Sequence, residues 1–153
     1  MSAEDTGSRA KPVNHNTVRL TFLSIPENES IGRTLAAAYA AVSDPTLEEL
    51  MDFKTAVSEA VTNAILHAYP ESEGDIEMEL SRDESRVKVV VTDFGIGIRD
   101  IEKSMEPLYT TDTSGERSGM GFTFMEAFSD HLEVISEPGR GTRVYLTKRM
   151  GGR

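Results

Sequence analysis

One helix-forming segment, "SEAVTNAILHAYP", carries two polar side chains at a spacing that suits chemistry, Glu59 and Asn63. At about 100° per residue they lie about 40° apart on one face of the helix. An Asn carbonyl oxygen can ligate magnesium, and a nearby Glu can take a proton from a hydroxyl or a water. Ala56 and Ala60 beside them would leave space for a ligand, whereas His67 fits a surface or packing role. Read alone, the pair also fits a solvated polar face.

The expected apolar stripe lies nearly opposite this pair on the same helix. It consists of Leu47, Leu50, Met51, Val57, Val61, Ala64, Ile65 and Ala68.

A second candidate is the pattern Asp93-x-Gly95-x-Gly97, which ends an apolar strand in "VVVTDFGIGIRD". Its Asp-Phe-Gly triplet matches the magnesium-binding triplet of protein kinases, but the other motifs of those enzymes and the Walker A motif do not occur in the chain. The two glycines allow a sharp turn and the close approach of a flat ligand. The carboxylate can accept a hydrogen bond from an exocyclic amine. A simple turn after the strand is the alternative.

The third cluster, "ERSGMGF", places Gly119, Met120 and Gly121 directly ahead of a helix. Helix N-termini expose backbone amides and the positive end of the dipole, which favours phosphate. Arg117 just upstream can neutralise a terminal phosphate. The preceding stretch "PLYTTDTSGERS" has the composition of a mobile lid. A helix start after a flexible loop is the alternative for this cluster, as a hairpin turn is for Thr142 in "GRGT".

The elements that must position these residues can be read from the pattern. We expect a strand over "TVRLTFLSI", a helix opened by Pro26, and a longer helix that begins at a capping box of Thr46 and Glu49 and ends at Pro70. A hairpin of "DIEMEL" and "RVKVVVTD" follows, with the second strand more central. A short helix at 98–104, the helix "FTFMEAFSD" and a hairpin of "HLEVIS" and "TRVYLTK" complete the pattern. Strands and helices mix without strict alternation, which predicts an α+β sandwich.

Composition limits the function classes. The chain has 153 residues, a formal net charge of −10 and no cysteine, which excludes disulfides, zinc–thiolate sites and thiol catalysis. No apolar run approaches the length that spans a bilayer, so we expect a soluble, cytoplasmic protein without membrane contact. The acidic balance disfavours direct nucleic-acid binding, although local cations can still hold one triphosphate. Residues 1–16 are expected to be a disordered leader and residues 149–153 a tail.

Taken together and in order, the four patterns resemble the N box and the three glycine boxes of the GHKL ATPase and kinase superfamily. The resemblance covers about residues 17–148. It implies the Bergerat ATP-binding fold, an α/β sandwich in which a mixed, mostly antiparallel sheet carries helices on one face.

Within that superfamily, "ENES", "VSEAVTNAI", "PLYTT" and "ERSGMGFTFME" resemble the bacterial anti-sigma-factor serine kinases. The sporulation anti-sigma F group is the nearer match and the stress-response RsbW-like kinases the more distant one. The resemblance implies that ATP and magnesium are bound and that a sigma factor of the sigma F type is held inactive. It also implies phosphorylation of a serine on an anti-anti-sigma factor, a STAS domain of the SpoIIAA type, and a homodimer.

The resemblance also implies roles for individual residues. Glu59 would be the general base, Asn63 the magnesium ligand and Arg33 a sigma-factor contact. Asp93 would bind the adenine amine with support from Thr142. Gly95 and Gly97 would shape the base pocket. The residues around the phosphates would be Thr110, Thr111, Arg117, Gly119, Met120 and Gly121.

Three other readings of the chain remain open. An ATPase that hydrolyses ATP to drive conformational cycling would use the same Glu59 on water. A non-catalytic module that binds ATP and a sigma factor would carry the same patterns with Glu59 idle. The ATP domain of a two-component histidine kinase would need a helical hairpin with a phosphoacceptor histidine upstream. His15 lies in the polar leader without a helical pattern.

Overall fold

The computed structural model describes residues 16–106 and 121–151. They form five strands and four helices close to the predicted ones. The strands are β1 (Val18–Leu23), β2 (Asp75–Arg82), β3 (Arg86–Asp93), β4 (His131–Glu137) and β5 (Gly141–Arg149). The helices are α1 (Glu27–Ala41), α2 (Leu47–His67), α3 (Ile101–Ser104) and α4 (Gly121–Phe128).

The strands form one sheet in the order β1-β2-β3-β5-β4. All four strand pairs of the described residues are antiparallel, which goes beyond the mostly antiparallel sheet expected. β3 lies in the centre of the sheet, as its apolar sequence predicted. Since a central strand is held on both edges, the Asp93 at its end has a firmly fixed backbone.

The helices cover one face of the sheet, and the α+β sandwich is confirmed. Alternate residues of β3 are buried against the helices, while those between them, such as Arg86 and Lys88, are exposed on the outer face. β2 follows the same alternation. This is the pattern of an antiparallel sheet with one solvated face. The core includes Ile76, Met78, Leu80, Val87, Val89, Val91 and Leu146 from the sheet and Phe53, Val57 and Val61 from α2.

The start of α2 is the predicted capping box. The Glu49 backbone N–H donates to Thr46 Oγ1 at 3.1 Å, and the Thr46 N–H donates to the Glu49 carboxylate at 2.7 Å. The predicted apolar stripe was wrong at this end, because Leu47 is 76% exposed and Met51 is 50% exposed. Buried residues of α2 begin only at Phe53, so the first turns extend past the part of the helix that covers the sheet.

The buried face of α2 is therefore rotated relative to the prediction. Ala56 and Ala60, expected beside the polar pair, are both buried in the core. At about 100° per residue, the centre of the face formed by the buried residues is about 90° from Asn63, not opposite it. Asn63 consequently borders the packed side of the helix.

The last described residues pack against the body of the domain. Met150 is buried in the core, and its N–H donates to the Ser85 carbonyl at 2.9 Å. The Gly151 N–H donates to the Glu49 carboxylate at 3.2 Å. Within the described ranges, no helix combines the length and apolarity needed to cross a membrane.

Candidate functional site

A cavity of about 490 Å³ opens between α2, the end of β3, the loop that follows it, α3 and the start of α4. Five of the site residues that the resemblance implies line it together, although they are spread over 80 positions of the chain. They are Asn63, Asp93, Gly97, Gly121 and Thr142. The fold thus brings at least one residue of each of the four sequence patterns to one place.

Asp93 is the buried acidic group of this cavity, with 7% of its surface exposed. Its Oδ1 accepts hydrogen bonds from the backbone N–H of Gly95 at 3.0 Å and of Thr142 at 3.2 Å. Burial raises the pKa of Asp93 above its ordinary value, although these two hydrogen bonds act in the opposite direction. No described residue donates to Oδ2, so that oxygen can accept a hydrogen bond from a ligand.

Thr142 lies directly opposite Asp93 in the ladder of β3 and β5. Its hydroxyl is 2.8 Å from Ser136 Oγ, which also accepts the Ile98 N–H at 2.7 Å and donates to the Gly141 carbonyl at 3.1 Å. Sequence reasoning missed Ser136. The predicted hairpin held the signal, because pairing its two arms across the turn places Ser136 beside Thr142.

The two glycines after Asp93 let their own backbone pack directly against the backbone of other segments. A Cβ on Gly95 would lie 2.0 Å from the Ala68 carbonyl oxygen, which accepts the Ile96 N–H at 2.9 Å. Gly97 has φ +74°, and a Cβ on it would lie 2.3 Å from the Glu137 carbonyl oxygen. The space beside Gly95 that we expected for a flat ligand is thus occupied by Ala68 at the end of α2. Gly97 also lines the cavity.

Of the polar pair on α2, Asn63 lines the cavity and Glu59 does not. Asn63 is half-buried and lines the cavity, next to Ala60 and Ala64. Glu59 lies one turn earlier, is half-buried, and is not among the described residues of the wall. His67, expected on the surface or in packing, is half-buried and lines the cavity as well.

The remaining wall is apolar around Asp93 and charged at α3, where Asp100 lies between two cations. Val91, Ile96 and Val144 give the apolar part, which suits a flat aromatic base. Arg99 and Lys103 are exposed cations at the wall. A buried acceptor in an apolar cavity next to cations fits a nucleotide.

Asn63 is the metal ligand expected from the sequence, and it lies in this wall. The Asn63 amide supplies an oxygen, the ligand type that magnesium prefers, and magnesium commonly takes its other ligands from phosphates and water. Among residues 16–106 and 121–151 there is no group of three or more His, Asp or Glu side chains that could hold a metal ion.

The structure describes only one of the residues expected around the phosphates on the third cluster and the segment before it. Thr110, Thr111, Arg117, Gly119 and Met120 fall outside the described residues, whereas Gly121 begins α4 and is buried.

Arg33 lies on α1, away from the cavity wall. Its Nε is 3.3 Å from Glu29 Oε1, and the same oxygen accepts a hydrogen bond from the Ser58 hydroxyl at 2.6 Å. Arg33 Nε is buried and makes no hydrogen bond within the described part of the chain. Ser58 directly precedes Glu59, so this contact ties α1 to the helix that carries the polar pair.

Comparisons with known proteins agree with this geometry. The profile of a family described as "Histidine kinase-like ATPase domain" matches residues 24–148. An anti-sigma F factor of Caldanaerobacter subterraneus is 52% identical over 137 residues, which cover 90% of this chain and 96% of that protein. An anti-sigma F factor of Clostridium perfringens is 51% identical over 136 residues, 88% of this chain and 97% of the other.

Two solved structures share the fold at low sequence identity. The RsbU and RsbW domains of a Mycobacterium tuberculosis protein superpose with a TM-score of 0.63 at 18% identity, covering 88% of this chain and 32% of the other. The histidine kinase domain of the Erythrobacter litoralis blue-light-activated kinase gives a TM-score of 0.53 at 18% identity, covering 80% and 60%. With the matched profile and the identities above, the chain belongs to the anti-sigma F factor family of histidine-kinase-like ATPase domains.

Proposed function

We propose that this protein binds ATP in the cavity, holds a sigma factor of the sigma F type inactive, and phosphorylates a serine of its anti-anti-sigma antagonist. The observation that carries the proposal is the buried Asp93 carboxylate paired with Thr142 in a cavity that Asn63 also lines. The names of relatives about half identical to this chain supply the sigma-factor partner.

Base recognition follows from the polarity of the cavity. The 6-amino group of adenine donates hydrogen bonds, and Asp93 Oδ2 is an acceptor that no described residue uses. An acceptor buried among apolar side chains favours a ligand that donates, because an unsatisfied buried polar group is costly. Guanine and hypoxanthine present a carbonyl at the same position and would be disfavoured.

The phosphoryl-transfer role rests on the α2 helix. ATP supplies the transferred phosphoryl group, and the protein contributes positioning and charge neutralisation. Asn63 would ligate magnesium, and Glu59, one turn away on the same helix, would take the proton of the attacking serine hydroxyl. Arg117, Thr110, Thr111 and the Gly119–Gly121 segment are proposed to surround the phosphates.

Arg33 is the proposed sigma-factor contact. Its side chain is 37% exposed, while Glu29 holds its Nε from the protein side. The outer guanidinium nitrogens are therefore the part offered to a partner, and an acidic group is the natural counterpart. A homodimer in the cytoplasm, with the STAS-domain antagonist competing for the sigma-binding surface, completes the proposal.

Nucleotide state would select the partner. ADP lacks the terminal phosphate, so the segment before α4 and Arg117 would lose a ligand that ATP provides. The surface formed with ATP bound would hold the sigma factor, and transfer to the antagonist would change that state.

The test mixes the full chain with magnesium, γ-labelled ATP and a STAS-domain anti-anti-sigma protein. Glu59→Gln is compared with Glu48→Gln, which alters an exposed glutamate in the first turn of the same helix. We expect label on a partner serine with wild type and Glu48→Gln. Transfer should fall by about 10²- to 10⁴-fold in Glu59→Gln, the range expected for loss of a general base, with ATP binding retained.

Two results would contradict the proposal. Binding of ATP without any transfer by the wild type would leave a nucleotide-gated sigma-binding module. Full transfer by Glu59→Gln would assign the base to another residue while keeping the kinase.

A further inference from the structure

Tyr69 lies two residues after the end of α2 and bridges the start of β2 to the end of β3. Its hydroxyl donates to the Asp75 carbonyl at 2.6 Å and accepts the Phe94 N–H at 2.9 Å. Tyr69 is not among the described residues of the cavity wall. The residue therefore acts on the backbone next to Asp93 and not on a ligand.

The hydroxyl sits where the strand ladder ends. The register of β2 and β3 pairs Ile76 with Asp93, so the next pair along would be Asp75 and Phe94. The Tyr69 hydroxyl bridges the C=O of the first and the N–H of the second. These two backbone groups are therefore hydrogen-bonded through the Tyr69 side chain. The strand β3 itself ends one residue before Phe94, at Asp93.

The Tyr69 ring is fixed from its other side by Gly74. A Cβ on Gly74 would lie 2.3 Å from the ring, so ring and backbone are in close contact. Gly74 itself is held to Ser24, through its carbonyl to the Ser24 N–H at 2.9 Å and through its N–H to Ser24 Oγ at 3.0 Å. The hydroxyl therefore has a defined place relative to the sheet.

A second hydrogen bond joins the same two segments of chain. The Ile96 N–H donates to the Ala68 carbonyl at 2.9 Å, one residue from Tyr69 and two from Phe94. With the Tyr69 bond, the loop after Asp93 is attached to the end of α2 at two points. The Gly95 N–H in this loop also donates to Asp93 Oδ1, so the loop and the carboxylate move together.

We propose that Tyr69 is a positioning residue for base recognition: its hydroxyl fixes the backbone at Phe94 and thereby aims the Asp93 carboxylate at the 6-amino group of a bound adenine nucleotide. This inference rests on the proposed role of Asp93. Burial also raises the pKa of Tyr69, so the hydroxyl keeps its proton and donates to Asp75 throughout the neutral range.

The test compares ATP with inosine triphosphate, whose base has a carbonyl in place of the amine. Affinities of the full chain are measured by calorimetric titration for wild type, Tyr69→Phe and the control Tyr145→Phe. Tyr145 lies on β5, with its ring 5.3 Å from the Lys88 ammonium. We expect Tyr69→Phe to bind ATP about 10-fold more weakly, or about 1.4 kcal/mol, with inosine triphosphate affinity unchanged. Tyr145→Phe should retain both affinities.

Hydrogen exchange gives a second readout, since the Phe94 amide should exchange faster in Tyr69→Phe alone. Unchanged affinity for both nucleotides in Tyr69→Phe would overturn the inference. An equal loss of affinity for both nucleotides would also overturn it, by assigning Tyr69 a purely structural role. If the wild type itself fails to distinguish the two nucleotides, the proposed recognition of the amine by Asp93 falls first.

Discussion

Asp93 and Thr142 face each other across β3 and β5, 49 residues apart in the chain, and the Thr142 N–H donates to Asp93 Oδ1 at 3.2 Å. The bond fixes one carboxylate oxygen in the sheet and leaves the other for the cavity. Gly141, next to Thr142, has φ +103°, and a Cβ there would lie 2.1 Å from the Asp93 carbonyl oxygen. The backbone of β5 thus reaches Asp93 closely because position 141 has no side chain.

Asp93→Asn should separate stability from function. Burial raises the pKa of Asp93, so the charged form is disfavoured in the folded state and its cost is present at neutral pH. An Asn can still accept from Gly95 and Thr142, so we expect a higher melting temperature than wild type at pH 7. The difference should shrink as pH falls through the raised pKa of Asp93 towards its ordinary value, where the wild-type carboxyl is protonated. Thermal melts across pH check this.

The same substitution should weaken ATP binding by about 10- to 100-fold, because a hydrogen bond to a charged group contributes about 1.5–3 kcal/mol. A lower melting temperature at pH 7, or unchanged ATP affinity, would contradict this account of Asp93.

Gly97 and Gly139 form a matched pair that separates the effect of a steric clash from that of backbone strain. Both have positive φ, +74° and +81°, but a Cβ on Gly97 would meet the Glu137 carbonyl oxygen at 2.3 Å, while nothing lies within 4 Å of one on Gly139. We expect Gly139→Ala to cost only the left-handed strain of about 1–2 kcal/mol. Gly97→Ala should cost clearly more and also weaken nucleotide binding. Equal losses in the free energy of unfolding, measured with urea, would show that backbone strain alone acts at both sites.

Local sequence signals predicted the elements well because their causes are local. The capping box of Thr46 and Glu49 is a contact over three residues, and the alternation in β3 reflects one buried face. The orientation of α2 was not accessible in this way. Leu47 and Met51 are apolar but exposed, and only the way the helix crosses the sheet decides which turns are covered.

The sequence singled out residues that line the cavity, but not the side chains that hold them in place. Asp93, Asn63 and Thr142 were identified because their spacing matches a known pattern of motifs. Ser136 and Tyr69 were missed, since their partners lie 5 to 38 residues away and depend on strand register. Side chains that orient other residues leave little trace in a pattern read along the chain.

Met150 and Met51 offer a test of the packed C-terminal segment. Met150 is buried in the core at 3% exposure, whereas Met51 is 50% exposed on α2. Met150→Ala should lower the free energy of unfolding by about 2–5 kcal/mol, the range for a buried methionine, and Met51→Ala by about 0.5 kcal/mol or less. Urea unfolding of both variants measures this. Similar small losses would mean that the residues after Lys148 contribute nothing to the core.

Asn63→Ala should remove the contribution of magnesium to nucleotide binding. The Asn63 amide lines the cavity and is the proposed metal ligand, so without it the ion would lose a protein oxygen ligand. We expect wild type to bind ATP more tightly with magnesium than with a chelator. In Asn63→Ala the affinity measured with magnesium should be about 10-fold lower than in wild type, while the affinity measured with the chelator stays the same. Asn28→Ala is the control, because the Asn28 side chain donates to the Leu23 carbonyl at 3.0 Å and does not line the cavity. An equal drop with and without magnesium would instead make Asn63 a direct contact of the nucleotide.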